Sequence, residues 1–547
     1  MFVNFKIYYI AVLKKLTKFK KSIKIFKKHE NLFTLFVDFV LFGDIIRFKE
    51  RGMHMFKKIT AIFLAILTVV FMSGISASSA DTHAPEKNYI IEDPYENVDW
   101  DSWTAYKAQL HCHSTASDGF LTVDEVIREH YNLNYDIVAL TDHGTLNRGW
   151  NIQPETVPLM RLIKKERTKM ADIVPLDEEL YKSYVNGTAA SETRTHKNGM
   201  LDVPLGNELN MATPFADCHL TGYFAEYGQG LAGVYGDYET PSKGVMEKGG
   251  ISMLSHVGEY VYIDKDSELH VGQPVDDYYA TKFARLFMDY KGSSVGMGIN
   301  SATDAHTRCD RILYDQILQK TIPNGVVPWS FTFSDSHNLR SINDAYTMML
   351  MPEFTLDAFR DCMVNGELFA VSHYSNGVEL NGMKEMPDFV EQEVEDSKSY
   401  LLDNTPMVTR VEVDQENDKI IIEGTDFNEI TWVSDGNVIK RESNITNGKA
   451  TLDLHSELLE DPYLYVRFYI TGENGICYSQ PFVLNVEGEE FEPVEVVEKV
   501  YDLPWFLRAL VTVIDLVAFR ANPIIWVFKY FALGYNPVTF ERLFNPF

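Results

Sequence analysis

The chain of 547 residues carries 78 acidic and 50 basic side chains, and 45% of its residues are hydrophobic. This is the composition of a folded globular protein of two or three domains. Residues 1–58 are basic, which leaves the rest of the chain strongly acidic within a formal net charge of −28; such a body repels phosphate backbones and disfavours nucleic acid as the main partner. The five cysteines include no C-x-x-C pair, which disfavours a disulfide framework and a thiolate zinc site.

The amino terminus has the layout of an export signal. Residues 55–80 combine a Lys pair, an apolar stretch and small residues ending at Ala80, the pattern of a secretory signal peptide. Residues 1–54 precede a second start at Met55 and are predicted to be a mis-called extension, with a membrane-proximal segment as the alternative. Residues 81–104 are predicted to be a linker. The signal predicts an extracytoplasmic protein, secreted or at the cell surface.

Between residues 105 and 395, short apolar runs alternate with amphipathic segments. Helices are predicted at residues 122–133, 310–320 and 355–365, with Thr122 as the N-cap of the first and Gly366 closing the last. The apolar runs have the length of buried strands and lie at residues 106–110, 135–141, 203–207, 219–225, 251–255, 294–300 and 329–334. Strands that alternate with helices indicate a parallel sheet, and about seven of them predict an α/β fold of barrel type or a closely related layout.

After residue 400 the pattern changes to short strands of period two, which predicts a small all-β sandwich over residues 400–487. Asp435-Gly436 forms a two-residue hairpin turn within it. An acidic linker at residues 488–500 leads to an apolar helical tail, residues 501–547. Such a tail either docks onto its own protein or lies at a membrane surface, and its helices are too short to span a bilayer.

Acidic and imidazole side chains fall near the ends of the predicted strands. His111 and His113 follow the first strand, and side chains at i and i+2 share a face, so the two can bind one ion together. The other candidates flank later strands, and His219 alone opens its strand: His143, Glu208, His219, His256, Asp335 and His337. Because α/β barrels build their sites at the carboxyl ends of strands, these side chains are expected to converge. Six histidines and two carboxylates suit Zn, Mn or Fe and are too many for one ion, so two or three divalent transition metals are predicted.

Four motifs in chain order resemble those of the PHP (polymerase and histidinol phosphatase) superfamily. They are His111-x-His113 with Ser117-Asp118-Gly119, Thr141-Asp142-His143, Gly206-x-Glu208 and Asp335-x-His337. The resemblance covers roughly residues 105–375. It implies a distorted (β/α)7 barrel of an extracytoplasmic bacterial type, the eight candidates above as metal ligands, and Asp118 as a ligand of a further metal. Two departures are visible: the sixth strand reads Gly296-Met297-Gly298-Ile299-Asn300 where members often carry G-x-E-x-x-N, and the segment between His143 and Glu208 is long.

The predicted reaction is the hydrolysis of a small phosphoester by a hydroxide that bridges the metals. Glu208 is expected to bridge the metals, and Asp142 has either a proton-transfer role or a purely orienting one. Arg148 is the first candidate for binding phosphate oxygens and Arg308 the second, with an ordinary surface arginine as the alternative for both. The histidines outside the motifs are expected to be structural or solvent-exposed.

Two other classes of function remain open at the level of the sequence. The same metal site could hydrolyse a carbamate, an ester or an amide. Positive charge around the predicted site is sparse, which makes this reading a rival to phosphoester hydrolysis. Alternatively, the chain could be a non-enzymatic cell-surface binding protein whose β domain and tail carry the function. An exonuclease is disfavoured by the acidic body. The predicted partners are therefore a small phosphoester, no nucleic acid, and a membrane surface if residues 501–547 bind one.

Overall fold

The computed structural model describes residues 88–156, 173–210, 219–228, 238–259, 274–300, 309–373, 405–456 and 464–497. The predicted extension, signal peptide and tail (residues 1–54, 55–80 and 501–547) lie outside these ranges and remain predictions. Within the described ranges, no helix combines the length and the apolar character that crossing a membrane requires. The described cysteines, Cys112, Cys309, Cys362 and Cys477, are buried and form no disulfide.

The predicted mixed α/β fold is confirmed. The helices are α1 (Val123–Asn132), α2 (Glu178–Val185), α3 (Glu239–Glu247), α4 (Asp277–Asp289), α5 (Asp310–Thr321) and α6 (Leu356–Asn365). The strands that accompany them are β1 (Tyr89–Glu92), β2 (Thr104–Gln109), β3 (Ile137–Val138), β4 (Thr145–Leu146), β5 (Glu155–Thr156), β6 (Leu201–Asp202), β7 (Asn207–Asn210), β8 (His219–Tyr223), β9 (Ile251–Leu254), β10 (Ser294–Gly298), β11 (Trp329–Phe331), β12 (Ala345–Met351) and β13 (Leu368–Ser372). Six of the predicted runs overlap a strand, the run at 135–141 only at the two residues of β3, and the run at 203–207 covers the turn after β6 and the first residue of β7.

The helix ends follow from local sequence. The Thr122 hydroxyl accepts a hydrogen bond from the Glu125 backbone N–H at 3.3 Å, and the Glu125 carboxylate accepts one from the Thr122 N–H at 2.8 Å. This reciprocal capping box satisfies two donors that a helix start leaves unpaired. Helix α6 ends at Gly366, whose φ of 78° lies in the left-handed region that glycine adopts without strain.

The predicted distorted (β/α)7 barrel is not closed in the described residues. In the described residues, β6, β3, β2, β12 and β13 lie side by side in one sheet, whereas β7, β8, β9, β10 and β11 form a second sheet. Isolated bridges join the two at Cys112 with Ser336, His143 with Glu208, and Asn147 with Gly206. The two sheets are therefore joined by β-bridges at a few residues and not by pairing along whole strands.

The all-β segment shares a sheet with the α/β part. Its strands are β14 (Met407–Asp414), β15 (Lys419–Thr425), β16 (Glu429–Ser434), β17 (Asn437–Ser443), β18 (Lys449–Asp453), β19 (Tyr465–Gly472), β20 (Gly475–Tyr478) and β21 (Phe482–Val486). The hairpin turn between β16 and β17 lies at Asp435-Gly436, with φ values of 48° and 76°. Strand β20 pairs with β13, so one sheet runs from the β segment to β2, which precedes His111.

Three apolar clusters support this arrangement. Trp432 and Phe468 fill the interior of the β segment, Phe283 and Leu313 pack α4 and α5 together, and Phe331 belongs to the cluster beneath the sheet junction. A buried ion pair between Asp315 of α5 and Arg467 of β19, with N–O distances of 2.6 and 2.8 Å, ties the β segment to the α/β part. Apolar packing and this ion pair thus support the elements that carry the candidate ligands.

Candidate metal centre

The structure brings all nine predicted ligands into one cluster at the junction of the two sheets. The loops after β2, β3, β9 and β11 supply seven of them, and β7 and β8 supply the other two: His111, His113, Asp118, His143, Glu208, His219, His256, Asp335 and His337. The bridges of Cys112 with Ser336 and of His143 with Glu208 fall among these residues. The two sheets therefore meet at the candidate ligands.

The position of His219 has a topological explanation. His219 opens β8, and Glu208, predicted to end its strand, is instead the second residue of β7; the other seven candidates follow their strands. Strand β8 runs antiparallel to both β7 and β9, and His219 pairs with Asn210 at the end of β7. The beginning of an antiparallel strand lies at the same sheet edge as the ends of its neighbours. The predicted parallel sheet is therefore wrong at β8, and this reversal is what brings His219 to the cluster.

Glu208 lies at the centre of the cluster, fully buried, with different histidines facing its two carboxylate oxygens. Oε1 lies 2.5 Å from His219 Nδ1, 3.3 Å from His256 Nε2 and 3.6 Å from His111 Nε2. Oε2 lies 2.8 Å from His143 Nδ1 and 3.2 Å from His113 Nε2. A carboxylate placed in this way can contribute one oxygen to each of two ions.

Asp335 and Asp118 are the two aspartates of the cluster. Asp335 Oδ1 lies 2.9 Å from His113 Nε2 and 3.1 Å from His111 Nε2. Asp118 Oδ1 lies 3.4 Å from His337 Nε2, and its Oδ2 lies 3.5 Å from His143 Nε2. The candidate ligand atoms fall into four overlapping groups: His111, His113 and Glu208; His111, His256 and Asp335; His143, Glu208 and His219; and His113, Asp118, His143 and His337.

Several of these atoms are buried without a hydrogen bond in the described part of the chain. They are Nε2 of His111, Nε2 of His113, both carboxylate oxygens of Glu208, and Oδ1 of Asp335. Burying a polar atom without a partner costs roughly 1–3 kcal/mol, and more if it is charged. A divalent cation coordinated by these atoms removes that cost, and a mixed set of imidazole nitrogens and carboxylate oxygens suits Zn, Mn and Fe. The residues therefore fit a metal site.

The protonation states of the cluster favour cation binding. Burial lowers the pKa of His111 to about 3, so its imidazole is neutral and has a lone pair to donate. Burial alone would raise the pKa of the Glu208 carboxyl, but the neighbouring histidines, His143 and His219 foremost, hold it well below its usual range. Burial likewise opposes ionisation of Asp335, and His111 and His337 hold the pKa of that carboxyl far below its usual value. Both acids are carboxylates at neutral pH.

The raised pKa of His113 shows the same preference of the cluster for positive charge. Burial lowers its pKa, but contact with Asp335 and Glu208 outweighs burial and raises the pKa well above the usual value. Two buried carboxylates thus hold a proton on the ring that lies between them. A divalent cation coordinated by the same three side chains takes the place of that proton.

Hydrogen bonds hold the imidazole rings in position. His111 Nδ1 lies 2.7 Å from the Thr141 hydroxyl, which also accepts from the Cys112 N–H at 3.1 Å and donates to the Cys112 carbonyl at 3.3 Å. Because that hydroxyl already donates elsewhere, His111 Nδ1–H is the donor in the first bond, which leaves Nε2 free to coordinate. In the sequence, Thr141 is a motif residue without a predicted role. Its place directly before Asp142-His143 is the local feature that points to a role at the site.

Asp142 orients the loop that carries Asp118, and its side-chain partners among the described residues are Ser114, Ser117 and Asn147. Its Oδ1 accepts from the backbone N–H of Ser114 at 2.7 Å, and from the N–H and hydroxyl of Ser117 at 3.1 and 2.8 Å. Its Oδ2 accepts from the Ser114 hydroxyl at 2.9 Å and from the Asn147 amide at 3.4 Å. With both oxygens occupied, the orienting role is the one that the geometry supports.

The Ser117-Asp118-Gly119 turn is required by a close approach of the backbone. A Cβ at position 119 would lie 2.5 Å from the His113 carbonyl oxygen, closer than any side chain tolerates.

Backbone strain is present at two candidate ligands, since His256 and Asp335 have φ values of 30° and 47°. Residues other than glycine adopt this region at a cost, and such residues concentrate at functional sites.

The sixth strand has no room for the glutamate that the family resemblance would place at position 298. A Cβ on Gly298 would lie 2.5 Å from the ring of Phe333. That ring packs edge-on against His111, with centroids 5.1 Å apart. In this chain the Phe333 ring packs against His111 and occupies the space that a side chain at position 298 would need. Position 298 therefore contributes no carboxylate to the cluster.

Arg148, the first predicted phosphate-binding arginine, makes its ion pairs outside the cluster in the described part of the chain. Arg148 forms ion pairs with Glu155 at 2.9 Å and with Glu226 at 2.7 Å, near the protein surface. Arg308 lies outside the described residues. The described histidines outside the motifs make other contacts; for example, His130 Nδ1 lies 2.8 Å from the Val126 carbonyl and His196 Nδ1 lies 2.8 Å from Asp136.

Comparisons with known proteins give distant likenesses. No family model matches the chain. A curated 5′-3′ exoribonuclease from Haemophilus influenzae is 48% identical over 40 residues, which are 7% of this chain, so the chain spans 15% of that relative. A solved structure from Bacteroides vulgatus, "a two-domain protein containing predicted PHP-like metal-dependent phosphoesterase", covers 70% of this chain and 96% of its own at 14% identity, with a TM-score of 0.35. A solved amidohydrolase from Chromobacterium violaceum, with bound sulfate and no metal, covers 42% and 87% at 13% identity, with a TM-score of 0.23.

Proposed function

We propose that this protein is a metal-dependent phosphoesterase that acts on a small phosphorylated molecule and uses two or three divalent transition metals. The observation that carries the proposal is the central position of Glu208, whose two oxygens face different histidines and belong to separate ligand groups. When bound, adjacent divalent cations supply a water of lowered pKa and neutralise charge on a phosphoryl group.

The chain's own residues have distinct parts in this chemistry. Glu208 belongs to more than one ligand group through its two oxygens. Asp335 and Glu208 both contact His113 and favour positive charge at that point. Thr141 fixes the tautomer of His111, so that its free nitrogen points into the cluster. Asp142 positions the serine loop that carries Asp118. These supports keep the ligand atoms in place before a substrate arrives, which is the condition for efficient electrostatic catalysis.

Hydrolysis of a carbamate, ester or amide at the same site is the second candidate. The observation in its favour is that the ion-pair partners of Glu208 and Asp335 in the described ranges are histidines, while Arg148 is engaged by two surface carboxylates. A phosphoryl dianion therefore has few cationic side chains to bind and depends more strongly on the metals.

Metal content and substrate preference test the proposal. The purified full-length protein is expected to contain two or more equivalents of transition metal, and Asp335→Asn is expected to lose metal. His196→Gln is the matched control, because His196 bonds to Asp136 away from the cluster. The loaded protein is then assayed with aryl phosphate, sugar phosphate, phosphodiester, short RNA, carbamate and ester substrates. A protein that stays metal-free after reconstitution would refute the mechanism, and turnover of esters or carbamates alone would favour the second candidate.

We also propose that the protein works outside the cytoplasmic membrane, and that residues 501–547 attach it to a lipid surface. The signal-like sequence at 55–80 and the apolar tail support this proposal. Flotation with liposomes of the full chain, compared with a chain that ends at residue 500, tests the attachment. Equal flotation of both would show that the tail does not bind lipid.

A further inference from the structure

The candidate metal centre is open to solvent mainly on the side of His337. The side chains of His111, His113 and Glu208 are fully buried, whereas that of His337 is 29% exposed, the largest fraction among the nine candidate ligands. A substrate that approaches from solvent therefore meets His337, and beside it Asp118, before the buried ligands.

Two exposed apolar side chains lie on the loops that carry Asp118 and His337. Phe120 is 59% exposed and Leu339 is 38% exposed, and both rank among the large hydrophobic side chains with most contact to solvent. Phe120 follows Asp118 by two residues and donates its backbone N–H to the His337 carbonyl at 2.7 Å. Leu339 follows His337 by two residues. The backbone thus places one apolar side chain on the loop that carries Asp118 and one on the loop that carries His337, the most exposed candidate ligand.

Both loops are held by hydrogen bonds. The Thr115 N–H donates to the Leu121 carbonyl at 2.8 Å, which closes the loop around Phe120, and the Gly119 N–H donates to the Ser114 carbonyl at 3.0 Å. On the other loop, the Asn338 side chain accepts from the Arg340 N–H at 2.9 Å and caps the turn that begins at Leu339. Because these bonds already hold the backbone, a ligand that packs on Phe120 and Leu339 orders only their side-chain torsions.

We propose that Phe120 and Leu339 determine substrate specificity by contacting an apolar organic group of the phosphoester, while its phosphoryl group lies at His337 and Asp118. The inference rests on the proposed function and deepens it, since it names the substrate class as phosphoesters with an apolar group next to the phosphoryl oxygen. The acidic body agrees with it, because a single phosphoryl group on an apolar carrier is repelled less than a polyphosphate or a nucleic acid.

The experiment compares an apolar and a polar substrate on the metal-loaded full-length protein. Phe120→Ala and Leu339→Ala are assayed with phenyl phosphate and with glycerol phosphate, and Ile90→Ala is the control. Ile90 is 51% exposed on β1, at the far end of the sheet from β2. We expect Phe120→Ala to lower kcat/KM for phenyl phosphate on the order of tenfold, as the loss of an apolar contact does, and to leave glycerol phosphate nearly unchanged.

A binding measurement separates this inference from the proposed function. Calorimetry with phenylphosphonate and methylphosphonate, which are not hydrolysed, is expected to show tighter binding of the phenyl compound and loss of that difference in Phe120→Ala. If the protein hydrolyses no phosphoester but this discrimination is present, the proposed function fails and the apolar contact stands. If it hydrolyses phosphoesters but the variants affect both substrates equally, or if the two phosphonates bind alike, the inference is overturned and the phosphoesterase stands.

Discussion

Replacing Thr141 with valine removes the hydroxyl that orients His111 and keeps the volume and branching of the side chain. In the wild type this hydroxyl accepts from His111 Nδ1–H at 2.7 Å and from the Cys112 N–H at 3.1 Å. The variant leaves both donors buried without a partner. At roughly 1–3 kcal/mol for each of the two unsatisfied donors, we expect the free energy of unfolding to fall by about 2–6 kcal/mol.

The same change is expected to weaken metal binding. Without the Thr141 oxygen, nothing specifies that the proton of His111 resides on Nδ1, and the ring is free to turn its protonated nitrogen toward the cluster. Loss of such a supporting hydrogen bond lowers metal affinity by roughly 10–100-fold. The affinity is measured by titrating the apoprotein with Mn²⁺ or Zn²⁺ against a competing chelator, and the stability by urea unfolding of the same samples.

Thr347→Val is the matched control. Thr347 is fully buried, and its hydroxyl donates to the Thr332 carbonyl at 2.9 Å instead of to a ligand. It is expected to cost about 1 kcal/mol of stability with unchanged metal affinity. If Thr141→Val and Thr347→Val bind metal equally tightly, the assigned role of Thr141 in orienting His111 is refuted.

Three further predictions follow from the packing and the buried charges. Gly119→Ala should lower the melting temperature and the metal content, because its Cβ would lie 2.5 Å from a carbonyl oxygen; an unchanged melting curve would contradict that contact. Burial lowers the pKa of His130 to about 4, so as the pH drops from about 6.5 to about 4 the unfolded chain is protonated at His130 before the folded one, and stability falls. His130→Leu should make the urea midpoint depend less on pH over that range. A pH dependence equal to that of the wild type would contradict this assignment. Arg467→Met leaves the buried carboxylate of Asp315 without its counter-charge and should cost about 3–5 kcal/mol in urea unfolding, whereas Arg410→Met, in an exposed ion pair, should cost less than about 1 kcal/mol. Similar losses for both arginine variants would refute the assigned importance of burial.

Much of the candidate site was readable from local sequence. His111 and His113 follow a short apolar run that is strand β2, and Asp335 and His337 follow the run that contains β11. The turn at Ser117-Asp118-Gly119 signalled a backbone that folds back on itself, and the structure shows why glycine is needed there. These features depend on neighbours in the chain, so their residue types and spacing predict them.

Other features depend on contacts between distant segments and were not readable. The reversal of β8 brings His219 to the cluster, but a five-residue apolar run has the same composition in either direction. Thr141 looked like an ordinary motif residue until the His111 ring was placed beside it. The exposure of Phe120 at the opening is likewise invisible in sequence, where a phenylalanine suggests a core position.

The sequence by itself determined which side chains are able to coordinate metal and that most of them lie at strand ends, because alternation, strand length and turn residues are local properties of the chain. Only the tertiary structure decided that the strands form two sheets joined at the ligands instead of a closed barrel, and that β20 extends one of those sheets through β13. Sheet partnership is set by which edges meet when distant segments bury their apolar faces together, and that choice is not encoded in any single strand.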